Sequence, residues 1–269
     1  MAGAAVFAAA AIALGFLVLP IVAIFARVSP ETLVAQLSHP VVTDALILSL
    51  KTSAIAQALV LVVGTPTAYV LATRRFPGRW LAVVFVELPL VLPPAVAGIG
   101  LIAAFGRLGL LGGTLDALGI RLGLTQAAVV IAVAYVSSPF YVRLAIATFE
   151  AVDPDLVAAA RTLGAGRTRT FFRVVLPLAR RGLAAGEALS FARGLGEFGA
   201  TIMFAGSLQG VTQTLPLAIY GAFALDFTTA LAMSALLVVV SGALLVALRI
   251  TLQWQPSRPT SRFLFAPSR

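Results

Sequence analysis

The chain has 269 residues, of which 60% are hydrophobic and 11% charged, with a mean hydropathy of +1.04. A soluble domain carries about 25% charged residues, so this chain cannot cover a water-facing surface and lipid must be the solvent for most of it. The net charge of +9 comes from Arg, with Lys51 as the single Lys, and those Arg residues stand at the ends of apolar runs. That placement argues against a nucleic-acid partner, which needs a basic stripe on a soluble face, and the absence of Cys excludes disulfides and Cys-based metal or redox chemistry.

About 20 apolar residues of helix cross a bilayer core. The first qualifying run, 4–26, lacks a basic start and is long for a signal peptide, so it is expected to be a retained span. Residues 1–40 then comprise this helix and an external linker in which His39 is expected to be solvated. The second span is expected over 46–72, followed by Arg74, Arg75 and Arg79. The third, 80–105, is expected to break or kink near Pro93-Pro94. Glu87, near its cytoplasmic entry, either pairs with Arg143 or sits at the interface. The fourth span is expected over 125–149. Continuous apolar runs, without alternation, exclude a β-barrel.

Next comes "EAVDPDLVAAARTLGAGRTRTFFRVVLPLARRG", residues 150–182. Asp153-Pro154 is a helix start, an acidic N-cap with Pro at the first helical position. Leu156, Ala159, Ala160 and Leu163 recur at helical spacing, and Gly164 and Gly166 end the run. A second short run with Phe171, Phe172, Val174 and Val175 leads into Leu176-Pro177. Small side chains would let the groove of another protein close over such a helix; an amphipathic helix lying on anionic lipid is the other reading.

The stretch "AARTLGAGRTRTFFRVVLPL" resembles the EAA loop of permease subunits of bacterial ATP-binding-cassette importers. Ala159, Ala160, Gly164, Leu176 and Pro177 match that pattern, and Ala158 stands where the pattern has Glu. The resemblance implies a type I importer permease fold, in which residues 150–181 form a coupling loop docked on a cytoplasmic ATPase dimer. It places Asp153, Ala159, Ala160, Gly164, Ala165, Phe171, Phe172, Leu176 and Pro177 in that loop. ATP and magnesium would then sit in the partner ATPase, with no cofactor on this chain.

The fifth span is expected over 183–205, and it contains "GLGEFG", residues 194–199. This satisfies the dinucleotide pattern G-x-G-x-x-G, but such a loop must follow a strand and open a helix, and no β-α-β pattern exists. No G-x-x-x-x-G-K-[ST] occurs either, so the chain carries no P-loop of its own and no enzyme activity is expected of it. Arg193 and Glu197, four apart, face one side of a helix and pair there. Charges at membrane depth face a bundle interior or a wet cavity, so the pair either lines or gates the anion path or is an internal strut that fixes the packing of the fifth span, with direct oxyanion contact by Arg193 as a further reading. Gly199 and Thr201 are placed beside it, and Ser137, Ser138 and Thr201 offer hydroxyls either to a passing oxyanion or back to their own helices. One His with scattered carboxylates gives no metal-site spacing.

Gly196-Glu197-Phe198-Gly199-Ala200-Thr201-Ile202, followed by Thr214-Leu215-Pro216-Leu217-Ala218-Ile219-Tyr220, is similar to the molybdate (or tungstate) permeases; sulfate permeases share the first part. Residues 206–228 are semi-apolar and external, with 214–225 expected as a re-entrant or interfacial turn. A sixth span is expected over 229–249, and a basic tail over 250–269.

Arg161, Arg167, Arg169, Arg173, Arg180 and Arg181 lie between spans four and five, and Arg249, Arg258, Arg262 and Arg269 in the tail. Only Arg27, Arg107 and Arg121 lie in the opposite loops, so both termini are expected in the cytoplasm. The expected protein is all-α, integral to the inner membrane, with six transmembrane helices, a core over 41–249 and a short cytoplasmic coupling helix. The resemblance implies a second copy of the chain, an ATPase dimer and an external oxyanion-binding protein as partners, with membrane lipid around them. An ion-coupled secondary transporter, using Glu87, Glu187 and Glu197, is the alternative from another class; it should show inverted repeats, and none is found.

Overall fold

The computed structural model describes residues 2–253, whose regular elements are all helices, with no strand among them. Helix α1, Ala2–Ala26, is apolar on every side and none of its apolar window is buried among the described residues. The short α2, Pro30–Leu37, starts where Ser29 accepts the Thr32 N–H and Pro30 needs no donor partner.

Helix α3, Pro40–Thr73, runs to 34 residues, about 51 Å, and so exceeds the 46–72 expected. The excess lies at its start. Lys51 Nζ donates to Gln126 Oε1 at 2.9 Å, level with the first turn of the fourth span, so the ammonium is held near that end and not at mid-membrane. His39 is exposed at the N-cap and makes no side-chain capping bond.

The third expected span is two helices. α4, Arg79–Val91, and α5, Pro94–Phe105, meet at a bend of 118°. Pro93 and Pro94 supply no N–H to bridge the break, and each leg, at about 20 Å, is too short to cross alone. α4 follows the last turns of α7, with Arg79 Nη2 2.6 Å from Glu150 Oε1 and Arg143 Nε 3.4 Å from Glu87 Oε1. The alternative for Glu87 thus resolves toward the ion pair. α5 instead enters the cluster of Ala97, Leu101, Val129, Val133, Ala200 and Phe204. A single turn, α6 (Gly112–Ala117), precedes α7, Gln126–Glu150, whose start Thr125 caps by accepting the Ala128 N–H.

α8, Pro154–Thr162, and α9, Arg167–Thr170, follow in the next connection, after which the chain passes through a π-turn, Phe171–Val175, straight into α10, Leu176–Leu195. α9, the π-turn and α10 are one continuous rod. The expected fifth span therefore starts earlier than residue 183, and it ends earlier too: Gly196–Phe198 interrupt it before α11, Gly199–Ala205. α12, Leu215–Phe223, packs Leu215 and Ala218 against Val42, Ala45 and Met233, so 214–225 is a short packed helix, which the re-entrant reading allows and a turn lying at the interface does not. α13, Phe227–Gln253, closes the described chain, so the tail expected over 250–269 begins inside this helix and its remainder, from 254, lies outside the described residues.

Four helices (α1, α3, α7 and α13) are long and apolar enough to cross a membrane, and the bent α4–α5 pair makes up to five. α10 falls outside this set because Arg180, Arg181, Glu187 and Arg193 interrupt its apolar content. Its packing explains how it is held. Gly182, Gly186, Ser190 and Gly194 recur every four residues and form one face, a small-residue stripe that lets two helices approach closely. A Cβ at Gly182 would collide with the Thr148 side chain, and one at Gly186 would stand 3.3 Å from Leu144 Cβ.

Candidate functional site

Two groups of residues predicted to act together lie at opposite ends of α10, about 24 Å apart from Pro177 to Arg193 along the helix. The first is the loop before it. Asp153 Oδ1 accepts the Asp155 N–H at 2.9 Å and starts α8. Gly164 ends α8 at φ +83°, with its own N–H donating to Arg161 O and the Ala165 N–H donating to Ala160 O. This paired closure satisfies the last carbonyls and needs a left-handed residue. Leu156 and Leu163 are exposed, the latter to 88%, with exposed Ala159 between them on the same stripe. The apolar stripe of α8 thus has no cover within the described chain.

Beyond Gly164 the chain is anchored. Phe171 meets Tyr69 of α3 edge-on at 4.8 Å between ring centroids, and Tyr69 meets Phe149 of α7 at 5.4 Å. Phe172 packs edge-on against Phe171 but stays exposed. Leu176 donates its N–H to Phe171 O, five residues back, in the π-turn that precedes Pro177. Pro177 has no N–H to donate, so the wider turn lets the rod continue where an α-turn would lack a bond. α9, the π-turn and α10 thus follow α8 without a further break.

The second group sits at the α10–α11 break. Arg193 Nη2 lies 2.7 Å from Glu197 Oε2, and Glu197 is 1% exposed against 29% for Arg193. Glu197 Oε1 accepts the Ala200 N–H at 2.7 Å, so the same carboxylate caps the start of α11. A Cβ at Gly199 would lie 2.7 Å from Pro94 Cβ, which ties this break to the α4–α5 break. Thr201 is fully buried and its Oγ1 has no partner among the described residues. Arg193 and Glu197 are thus paired, and Gly199 and Thr201 follow in the helix that Glu197 caps. "GLGEFG" spans a helix break with no strand before it, so its glycines serve close approach and turning.

Sequence reasoning missed the polar knot one turn below. Gln57 of α3 donates from Nε2 to Ser137 Oγ at 3.1 Å and to Ser190 O at 3.3 Å. Ser190 Oγ lies 2.8 Å from Gln57 Oε1 and 2.9 Å from Ser137 O, and all three residues are buried. Gly194 borders the knot, since a Cβ there would lie 2.9 Å from Gln57 Nε2. Ser137 was read as a hydroxyl for the path or for its own helix; it serves neither, and instead links α3 to α7. Ser138, by contrast, bonds back to Tyr135 O in its own helix. Glu187, two turns below Arg193, keeps one buried carboxylate oxygen without a partner among the described residues. Among the described residues no group of three or more His, Asp or Glu side chains is placed to hold a metal ion.

Residues 61–255 match the family profile of the binding-protein-dependent transport system inner membrane component. The chain is 46% identical over 229 residues to the molybdenum transport system permease protein ModB of Mycobacterium tuberculosis, covering 84% of this chain and 86% of that one. It is 45% identical to the ModB permease of Escherichia coli K12, over 66% of this chain and 78% of the other. A probable molybdenum ABC transporter permease of Haloferax volcanii matches at 37% identity over 91% and 90%. Among solved structures, a bacterial alginate ABC transporter in complex with an alginate-bound periplasmic protein superposes with TM-score 0.72 at 14% identity, covering 93% of each chain. The inward-facing MetNI methionine transporter does so with TM-score 0.61 at 19% identity, over 79% of this chain and 94% of that one. At these identities the structures speak for the fold.

Proposed function

The chain belongs to the family of binding-protein-dependent transport system inner membrane components, and we propose that it is the membrane-spanning permease subunit of an ATP-driven molybdate importer. The observation that carries the substrate is the likeness to molybdenum permeases over most of the chain, from bacteria to a haloarchaeon. Molybdate is favoured over sulfate by that likeness, and a permease over a secondary transporter by the family. Tungstate, a tetrahedral dianion like molybdate, is included in the proposed substrate class.

The finer reading follows from the geometry. Two copies of the chain would enclose the path, and an ATPase dimer would take the exposed Leu156–Ala159–Leu163 stripe of α8 into its clefts. Closure of the ATPases on ATP and magnesium would move α8, and the rod from Arg167 to Leu195 would carry that motion to the Arg193–Glu197 break. Alternating access requires two discrete arrangements of rigid elements, and the breaks at Pro93-Pro94 and Gly196–Phe198 are where helices α5 and α11 can change angle together. An external binding protein would deliver the oxyanion. In this reading α10 with α11 serves as one membrane-crossing element and α4 with α5 as another, which restores six, with both termini cytoplasmic by the distribution of Arg.

The test is ATPase activity of the chain co-purified in lipid with its ATPase and binding protein, titrated separately with molybdate, tungstate and sulfate. Stimulation by molybdate or tungstate and not by sulfate is expected. Stimulation by sulfate would move the chain to the sister permeases, and failure of any ATPase to co-purify would remove the coupling role of residues 150–181.

A further inference from the structure

A cavity of about 820 Å³ opens where the ends of α3 and α7 meet the start of α4 and the inner side of α8. Ligand sites commonly span roughly 300–1,000 Å³. Its lining is divided by chemistry. Arg74, Arg75, Arg79, Arg161 and Arg167 contribute guanidinium groups, while Tyr69, Ala72, Phe149, Val152, Val157 and Val175 contribute apolar surface. Glu150 is the sole carboxylate of the lining and is already engaged by Arg79, which also donates from Nε to Leu71 O at 2.6 Å. Arg74, Arg75, Arg161 and Arg167 form no ion pair with any described residue.

An excess of Arg on the cytoplasmic side is the ordinary signature of topology. Topology, however, requires only that the charges lie in that loop. Here they arrive from four separate pieces of chain, the end of α3, the start of α4, α8 and the start of α9, and converge on one concavity beside apolar residues from membrane helices. Guanidinium groups match phosphate oxygens by paired hydrogen bonds, and basic pockets at the cytoplasmic ends of membrane helices suit anionic lipid heads.

We propose that the converging arginines of this cavity bind the phosphate head of an anionic phospholipid of the cytoplasmic leaflet, so that the lipid braces α8 against α3 and α7. The inference rests on the permease reading only for the side of the membrane. A free oxyanion shares the phosphate chemistry, and displacement by inorganic phosphate separates the two; the position of the cavity at the ends of membrane helices favours the lipid head.

The full-length chain, without ATPase or binding protein, is reconstituted in vesicles of excess phosphatidylcholine with a minor share of phosphatidylglycerol. It is then released in mild detergent and its retained lipid counted by native mass spectrometry. Selective retention of one phosphatidylglycerol is expected. The Arg75→Gln/Arg161→Gln variant should lower that retention roughly 25-fold, at about fivefold for each basic residue near an anionic lipid. Both side chains are exposed and Arg79, which ties α4 to α7, is left in place, so the fold should persist. Arg107→Gln/Arg121→Gln, on the other face, should change nothing. Unselective retention, equal loss in both variants, or complete displacement by millimolar inorganic phosphate or molybdate would overturn the proposal. So would unchanged retention in Arg75→Gln/Arg161→Gln. None of these readouts depends on molybdate transport, so the importer reading and the lipid site fail separately.

Discussion

Arg193 and Glu197 form an ion pair of 2.7 Å in which the buried member, Glu197, also caps the next helix through Ala200. One carboxylate therefore fixes both sides of the break between α10 and α11. The two residues are unequal: Arg193 reaches partial exposure, whereas Glu197 has no route to solvent.

That inequality sets the order of three variants. Arg193→Gln strands a buried carboxylate and should cost about 3 kcal/mol of stability, the low end for breaking a buried pair because Arg193 is partly exposed. Glu197→Gln leaves a partly exposed cation and can still accept from Ala200, so it should cost less. The double variant Arg193→Gln/Glu197→Gln should be milder than Arg193→Gln alone. Thermal unfolding in lipid nanodiscs would rank them, and equal damage from the single Arg193 change and the double would mean the pair is not a unit.

The Gln57–Ser137–Ser190 knot joins three helices, so its loss should loosen the bundle without touching the loop. Ser190→Ala removes the hydroxyl that meets Gln57 Oε1 and Ser137 O. Such bonds in membranes are worth roughly 0.6 kcal/mol on average and up to about 1.7; the single Ser190 hydroxyl proton serves Gln57 Oε1 or Ser137 O, and Ser137 O is already bonded within its own helix, which places the loss near the average figure. Ser190→Cys, with a weaker donor, should fall between. A Ser190→Ala protein with unchanged unfolding would show that the knot contributes nothing.

What was legible in the sequence follows from where the signal is local. Pro93-Pro94 announces its break because proline removes donors wherever it stands, and Asp153-Pro154 with Gly164 announces α8 for similarly local reasons. The break at Gly196–Phe198 was hidden, because glycines in an apolar run read equally as close-packing positions. Gln57 was invisible as a partner: Ser137 lies 80 residues away and Ser190 133, and a single Gln in an apolar run has no periodicity to reveal it. The Gly182–Gly186–Ser190–Gly194 stripe was readable at four-residue spacing. It was passed over because Gly182, next to Arg180 and Arg181, falls before the span expected from residue 183.

That stripe can be tested by a paired substitution. Gly182→Ala drives a methyl into the Thr148 side chain and should cost about 1–3 kcal/mol, as overpacking does. Thr148→Ala in the same chain removes the obstructing atoms and should recover much of that loss. Because the two residues touch, their effects should not add. Additive losses in a double-mutant cycle of unfolding would mean that α10 does not meet α7 through Gly182.

Gly164 separates the coupling role of α8 from its mere presence. Nothing lies within 4 Å of a Cβ there, so a substitution is opposed by backbone conformation alone, φ being +83°. A left-handed residue costs roughly 1–2 kcal/mol for most side chains, and Asn tolerates it best. Gly164→Val should therefore undo the closure to Ala160 and Arg161 and redirect α8, while the spans, which make no contact with that position, stay inserted. Gly164→Asn should keep the turn. In the complex with ATPase and binding protein, the Val variant should lose most molybdate-stimulated ATPase activity and the Asn variant should retain most of it. If the Val variant remains coupled, the direction in which α8 leaves the rod does not matter, and its exposed leucine stripe is not the surface that receives the ATPase. If both variants fail alike, the glycine is needed for space against a partner, which would put the ATPase directly over residue 164.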